Sequence, residues 1–193
     1  MIGYAFCGSF CTIAKSMKIL RELAAEGNEI QPIVSENVYL TDTRFGKAAD
    51  IIAEMEKVCG RKVIHSIVDA EPIGPRGYLD VLIIAPCTGN TLAKIACGIT
   101  DTPVTMAAKA QLRSGKPVLI GLASNDAMSA NLANIARLTV RKNVYFVPMA
   151  QDDAEKKPDS LICDFGQIKA AMAAALGGKQ LQPIWCVDNV EKH

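Results

Sequence analysis

The chain reads as a doubly wound parallel α/β domain, and three features predict it. Short apolar runs alternate with amphipathic helical runs along 193 residues. The run Val81 to Ala85 is apolar without alternation, as a strand buried on both faces must be. Polar or glycine-bearing loops follow the apolar runs that end near 6, 34, 85 and 122, and open α/β sheets bind ligands at that end of their strands.

Ile2 to Phe6 predicts the first strand. A Cys7-Gly8-Ser9 turn leads into a helix whose apolar face carries Phe10, Ile13, Ala14, Met17, Leu20, Leu23 and Ala24, ending at Gly27. Such a turn can set backbone N–H groups and a hydroxyl against a phosphate at the positive end of the helix dipole. The plainer alternative is a tight turn with Ser9 as N-cap. Two known phosphate motifs fail here. G-x-G-x-x-G needs three glycines where only Gly8 stands, and Lys15-Ser16 lies one residue too far from Gly8 and follows Ala14 rather than the glycine of a Walker A loop.

Glu29 to Val34 predicts the second strand, with a polar edge at Ser35-Glu36-Asn37. A helical region starts at Thr41-Asp42-Thr43 and runs to Gly60, and Val63-Ile64 is a brief third strand. Residues 69–79, with two prolines and two glycines, read as a loop into the central strand, which stops at Pro86. After Cys87 the polar loop through Thr88 and Asn90 opens a helix carrying Leu92, Ile95 and Ala96, closed by Gly98. Thr88 or Asn90 there either caps the helix or faces a ligand. Thr102 caps the next helix, with Pro103 in its first turn and Val104, Ala107, Ala108 and Leu112 as its stripe.

Val118 to Leu122 is a further strand, leading through Ser124, Asn125 and Asp126 into a helix over 126–140 with Met128, Leu132, Ile135, Ala136 and Leu138 buried. Val144 to Val147 is the last expected strand. Residues 150–160 read as a mobile surface loop, and a closing helix spans about 165–176. Right-handed crossovers give the strand order 3-2-1-4-5-6, which sets the loops at 7–12 and 86–91 across one crevice. Residues 1–180 are expected to form the domain and 181–193 a polar tail.

Composition narrows the function classes. Lys plus Arg number 21 against 20 for Asp plus Glu, with no clustered basic face, so neither nucleic acid nor an anionic membrane is an expected partner. Seven cysteines without a CxxC pair, and histidines only at 65 and 193, exclude a zinc site and a disulfide framework. They fit free thiols in a reducing cytoplasm. No run reaches the length of a membrane span, and the first residues lack the basic and apolar regions of a signal peptide, so a cytosolic protein is expected.

Three segments carry a family resemblance. The turn Gly8-Ser9-Phe10 is similar to a G-S-I turn, Pro86 to Gly98 (PCTGNTLAKIACG) to P-A-S-A-N-T-x-A-K-x-A-x-G, and Asn125 with Met128 to part of P-x-M-N-x-x-M. These motifs resemble the FMN-binding flavoproteins, the family of phosphopantothenoylcysteine decarboxylase, the lantibiotic cysteine decarboxylases and the flavin prenyltransferases. The resemblance implies a Rossmann-like three-layer α/β/α fold and FMN held by Gly8, Ser9, Phe10, Ser35, Pro86, Cys87 and Thr88. Ser9 would be at the phosphate, Ser35 at the ribityl chain and Thr88 at the ring.

Asn90 and Asn125 would face the substrate, and Lys94 and Arg76 are either further binders of its carboxylates or plain surface charges. The histidine that the decarboxylases carry before the central strand is replaced by Pro72. Tyr78 or Cys87 are the alternative proton donors for decarboxylation. Over nearly the whole chain, through Ala5 to Thr12, Ile84 to Ala110 and Leu119 to Met128, the resemblance is to the branch of the family that holds the B subunits of dipicolinate synthases. It implies a sporulating bacterium, a small dicarboxylate substrate and an A subunit using NADP or NAD. It also implies assembly into a homo-oligomer, with the small residues at 91–113 either at that interface or buried within one protomer. A decarboxylase and a cofactor-free partner subunit are the alternatives.

Overall fold

The computed structural model describes residues 1–186. Its elements are β1 (Ile2–Phe6), α1 (Ile13–Ala25), β2 (Ile30–Val34), α2 (Glu36–Leu40), α3 (Ala48–Cys59), α4 (Ile67–Ala70), α5 (Ile73–Arg76) and β3 (Val81–Cys87). Then come α6 (Gly89–Cys97), α7 (Pro103–Arg113), β4 (Val118–Ser124), α8 (Leu132–Thr139), β5 (Val144–Phe146), β6 (Met149–Ala150), β7 (Leu161–Cys163) and α9 (Ile168–Leu176).

β2, β1, β3, β4 and β5 lie side by side in parallel. Alternate residues of the central strands serve two cores. Ala5, Leu82, Ile84 and Ile120 pack with Leu92, Ile95, Val104, Ala107 and Ile135 on one face. Tyr4, Phe6, Ile83, Ala85 and Leu119 pack with Ile13, Met17, Leu20, Met55 and Ile168 on the other. Two apolar faces on one sheet give three layers, because each face must be covered by helices. β3 is buried along its whole length. It lies so close to β4 that a Cβ added at Gly121 would stand 2.8 Å from the Ala85 Cβ.

The expected order 3-2-1-4-5-6 holds, with its third strand reduced to a single parallel bridge from Ile64 to Ile33. Only Val63 and Ile64 are apolar there, between Arg61-Lys62 and His65-Ser66. β3 continues through Pro86 with a shift of register between Ile84 and Cys87, the irregularity at which a strand tolerates proline. The Ala85–Pro86 peptide is cis.

Other boundaries move for local reasons. α3 starts at Ala48, since a Thr43–Gly46 turn intervenes, and Asp42 Oδ1 accepts from the Ala48 amide at 2.8 Å. Residues 69–79 hold the end of α4 and all of α5, with Ser66 Oγ accepting from the Asp69 amide at the start of α4 and left-handed Gly77 ending α5. α8 starts only at Leu132. Leu132 and Ala136 are exposed while Ile135 and Leu138 are buried, and on α1 Ala14 is exposed. β6 and β7 are unforeseen strands. They pair antiparallel with each other, and β7 pairs with Ala123 and Ser124 at the end of β4, making the sheet mixed. With two and three residues they are too short to show a period of two.

Beyond 180, Trp185 bridges Met149, and the Cys186 amide donates to the Met149 carbonyl at 2.9 Å. Residues 187–193 of the expected tail, with His193, lie outside the described residues. Ala107, Ala108 and Ala110 of α7 are buried within the chain itself.

Candidate functional site

Two corners meet at the carboxyl ends of β1 and β3, and a hydrogen bond joins them: the Cys7 amide donates to the Pro86 carbonyl at 3.0 Å. In the first corner the Ser9 amide turns back onto the Cys7 carbonyl at 2.8 Å. The Thr12 hydroxyl reaches both the Ser9 carbonyl, at 2.8 Å, and Ser9 Oγ, at 3.1 Å. Donation from Thr12 leaves the Ser9 hydroxyl proton free to turn outward. Phe10 and Cys11 open the helical run, where amides have no carbonyl of their own helix to bond.

In the second corner Thr88 caps α6, its Oγ1 accepting from the Thr91 amide at 3.3 Å. The capping reading therefore holds for Thr88, which also lines the cavity in front of it. A third wall comes from the end of β4, where Ser124, Asn125 and Asp126 precede α8. Ser124 Oγ donates to Asp126 Oδ1, and Asn131 Nδ2 donates to Asp126 Oδ2 at 3.0 Å.

These walls enclose a cavity of about 810 Å³, reached by Gly8, Ser9, Phe10, Thr88, Asn90 and Asn125 among the expected residues. That size accommodates a planar cofactor together with a small acid, since ligand pockets run from roughly 300 to 1,000 Å³. Most of the segment 151–159 is exposed as expected, with Ala150 half-buried in β6 and Ser160 buried, yet the segment forms the outer wall. The Met128 amide is tied to the Asp159 carbonyl at 2.9 Å. Arg44 and Phe45 stand at the mouth, the guanidinium 4.8 Å from the ring centroid.

Charge within the cavity is unevenly neutralised. Lys157 pairs with Asp152 at 2.8 Å, which raises the lysine pKa and lowers that of the aspartate. Among the described residues, Arg44 and Lys156 line the cavity with no carboxylate in salt-bridge range, and the carboxylates Asp126 and Asp159 line it with no cation in range. Neither cation is marked in the sequence, because charges in loops carry no periodic signal and Lys156 is one of several in its segment. Asp126 and Ser124 had a signal, since they flank Asn125 at the end of a buried strand.

The other expected residues lie elsewhere. Pro86 and Cys87 are fully buried in β3, behind the Thr88 corner. Ser35 is buried at the end of β2, its amide on the Phe6 carbonyl at 3.0 Å, and its Oγ has no hydrogen-bond partner among the described residues. Lys94 points to Asp101, with Nζ 2.9 Å from Oδ1. Arg76 ends α5, ahead of β3, and so sits at the opposite end of the sheet from the cavity.

Neither alternative proton donor lines the cavity. Burial pushes the Cys87 thiol well above its ordinary value, and it raises that of Tyr78. The neighbouring thiols are pushed up by burial too, Cys7 to about 11 and Cys163 to about 12, so all three stay protonated and unreactive near neutrality. Among the described residues no cluster of His, Cys, Asp or Glu could hold a metal ion, and no helix is long and apolar enough to cross a membrane.

Residues 1–176 match the family model described as Flavoprotein. The chain belongs to this family. Within it, the chain is 44% identical over 183 residues to the B subunit of dipicolinate synthase from Bacillus subtilis (strain 168), covering 95% of this chain and 92% of that one. The crystal structure of the dipicolinate synthase B subunit from Bacillus halodurans C superposes with a TM-score of 0.88 at 40% identity, over 96% of this flavoprotein and 95% of the other. Burkholderia xenovorans DmrB, solved in complex with FMN and described as a cubic protein cage, shares the fold alone. Its TM-score is 0.68 at 18% identity, covering 91% of this chain and 94% of that one.

Proposed function

We propose that this flavoprotein is the B subunit of a dipicolinate synthase. Together with an A subunit it forms pyridine-2,6-dicarboxylate from a hydroxy-tetrahydrodipicolinate precursor, in the cytoplasm of the mother cell of a sporulating bacterium. The observation that carries the reading is the single cavity onto which the corners at Ser9, Thr88 and Asn125 open. Its support is the 44% identity to a protein of that name over nearly the whole chain.

The residues present fit FMN. The free Ser9 hydroxyl proton and the amides that open the helical run suit a phosphate, and Ser35 offers a buried hydroxyl with no partner of its own. In this reading Gly8, Ser9 and Phe10 hold the phosphate end, Ser35 meets the ribityl chain, and Thr88 approaches the ring, with Pro86 and Cys87 as buried support behind it. When bound, flavin supplies a hydride acceptor, which no side chain provides and which ring aromatisation requires.

Asn90 and Asn125 then take the carboxylates of the substrate. Arg44 and Lys156, in place of Arg76 and Lys94, supply the positive charge that a dicarboxylate needs. NADP or NAD belongs to the A subunit, and assembly into a homo-oligomer completes the picture. The catalytic class is an oxidoreductase subunit.

The test is a visible spectrum of the purified chain with and without added FMN, then product formation from precursor with and without the A subunit. Flavin bands and product only with both subunits are expected. A chain that stays colourless in FMN makes it a cofactor-free partner. Release of carbon dioxide makes it a decarboxylase.

A further inference from the structure

The two amides expected to face the substrate stand on different elements, Asn90 on α6 and Asn125 on the turn after β4, and something must fix their separation. A polar knot fills the seam between these elements. The Asp126 carboxylate accepts from Ser124 Oγ on one side and from Asn131 Nδ2, at 3.0 Å, on the other. Asn134 Nδ2 donates to Asn131 Oδ1 at 3.0 Å, and the Asn131 amide returns to the Asp126 carbonyl at 3.1 Å. The knot thus closes the turn from 124 to 131 around Asn125.

On its other side the knot meets Gly89, the residue immediately before Asn90. A Cβ at Gly89 would stand 2.5 Å from Ser124 Oγ, 2.5 Å from Asn131 Nδ2 and 2.6 Å from Asp126 Oδ1. Those side-chain ends hold one another, so none can swing aside without breaking a hydrogen bond. The first turn of α6 therefore rests on the knot at a distance that only glycine allows.

We propose that Ser124, Asp126 and Asn131 form a brace that sets the spacing of Asn90 and Asn125 across the cavity, with Asp126 as its positioning residue. The brace decides which carboxylic acids fit between the two amides and leaves the phosphate corner at Ser9 untouched. This rests on the reading that the cavity takes a dicarboxylate.

Calorimetric titration of pyridine-2,6-dicarboxylate and, separately, of FMN into the full chain tests it. D126A and G89A are each expected to weaken the dicarboxylate about tenfold and to leave FMN affinity within about twofold. D126N keeps both hydrogen bonds, its amide nitrogen donating to Ser124 Oγ and its oxygen accepting from Asn131, and binds the dicarboxylate as tightly as wild type or more tightly, since it also removes a negative charge from the cavity wall. N125A and N125A/D126A should weaken the dicarboxylate equally, because the brace acts through Asn125. Loss of both ligands in D126A, no loss of either, or additive effects in the double variant would overturn the brace.

A wild-type chain that binds no dicarboxylate sinks the reading beneath it instead. The brace is then judged by NMR of the Asn90 and Asn125 side-chain amides. They should broaden in D126A and stay sharp in D126N; signals unchanged in D126A refute it.

Discussion

The two ends of the sheet use their polar groups differently. At the amino end the groups are spent on one another. Lys116 Nζ donates to the Gly77 and Leu79 carbonyls at 2.6 and 2.7 Å, and the amino terminus of Met1 pairs with Asp80 at 2.5 Å, lowering the aspartate pKa. At the carboxyl end some are left over: the Ser9 hydroxyl proton, Ser35 Oγ, and the cations Arg44 and Lys156. Satisfied polar groups hold a fold together, whereas unspent ones are open to a ligand, and of these Ser9, Arg44 and Lys156 line the cavity while Ser35 is buried outside its lining. Substitutions at the amino end should move stability and those at the carboxyl end should move binding.

The sharpest contrast is Ser9→Glu. A carboxylate at the phosphate corner repels the dianion and fills its place, so FMN affinity should fall by 100-fold or more, on the order of 3 kcal/mol. The melting temperature of the ligand-free chain should stay within about 2 °C, because Ser9 is only partly buried. A flavin titration followed by fluorescence quenching reads the first, and a thermal melt the second. Undiminished FMN binding breaks the assignment of this corner.

Lys116→Met runs the opposite way. It leaves the Gly77 carbonyl without its donor, while the Leu79 carbonyl keeps only the Gln111 Nε2 donor at 3.3 Å, and a polar group stranded in the manner of Gly77 costs about 1–3 kcal/mol. Denaturant unfolding should register that loss while FMN affinity is unaltered. Equal losses of both would show that the two ends are not separable.

Ser35→Ala should split the two quantities within one residue. Removing a buried hydroxyl that has no partner relieves an unmet desolvation cost, so the ligand-free chain is expected to gain up to about 1 kcal/mol. FMN affinity should drop about fivefold, a lost hydrogen bond of ~1 kcal/mol. A variant that loses stability without FMN, measured by denaturant unfolding, contradicts the view that this hydroxyl is held for a ligand.

How far this division could be read from sequence follows from the same physics. Short apolar runs marked β1, β2 and β4, an unbroken one marked β3, and Thr102-Pro103 marked the start of α7, where the structure shows a reciprocal capping box between Thr102 and Thr105. Glycine turns after strands marked the two corners. β6 and β7 stayed hidden because strands so short have no period, and their place depends on pairing with β4. Arg44 and Lys156 stayed hidden because the cavity is assembled from loops distant in the chain. The knot around Asp126 escaped for another reason: the run 126–140 was read as one helix, which put Asp126 at a helix start rather than in a turn of its own.

Arg76 and Lys94 complete the comparison with the smallest expected effect. Both are cations that sequence alone offers as carboxylate binders, and the fold decides which cations reach a cavity. Lys94 is held by Asp101, and Arg76 lies beyond the amino end of β3. Arg76→Gln and Lys94→Gln should therefore leave dicarboxylate affinity within about twofold, since exposed ion pairs contribute roughly 0–1 kcal/mol and neither charge faces the cavity. Arg44→Gln and Lys156→Gln should each weaken it about fivefold, the worth of one charged hydrogen bond at a wet rim. The four variants titrated side by side with pyridine-2,6-dicarboxylate decide between two maps of the site. A loss confined to Arg76 or Lys94 would mean that the dicarboxylate binds outside the cavity, and the contrast between the two ends of the sheet would fail with it.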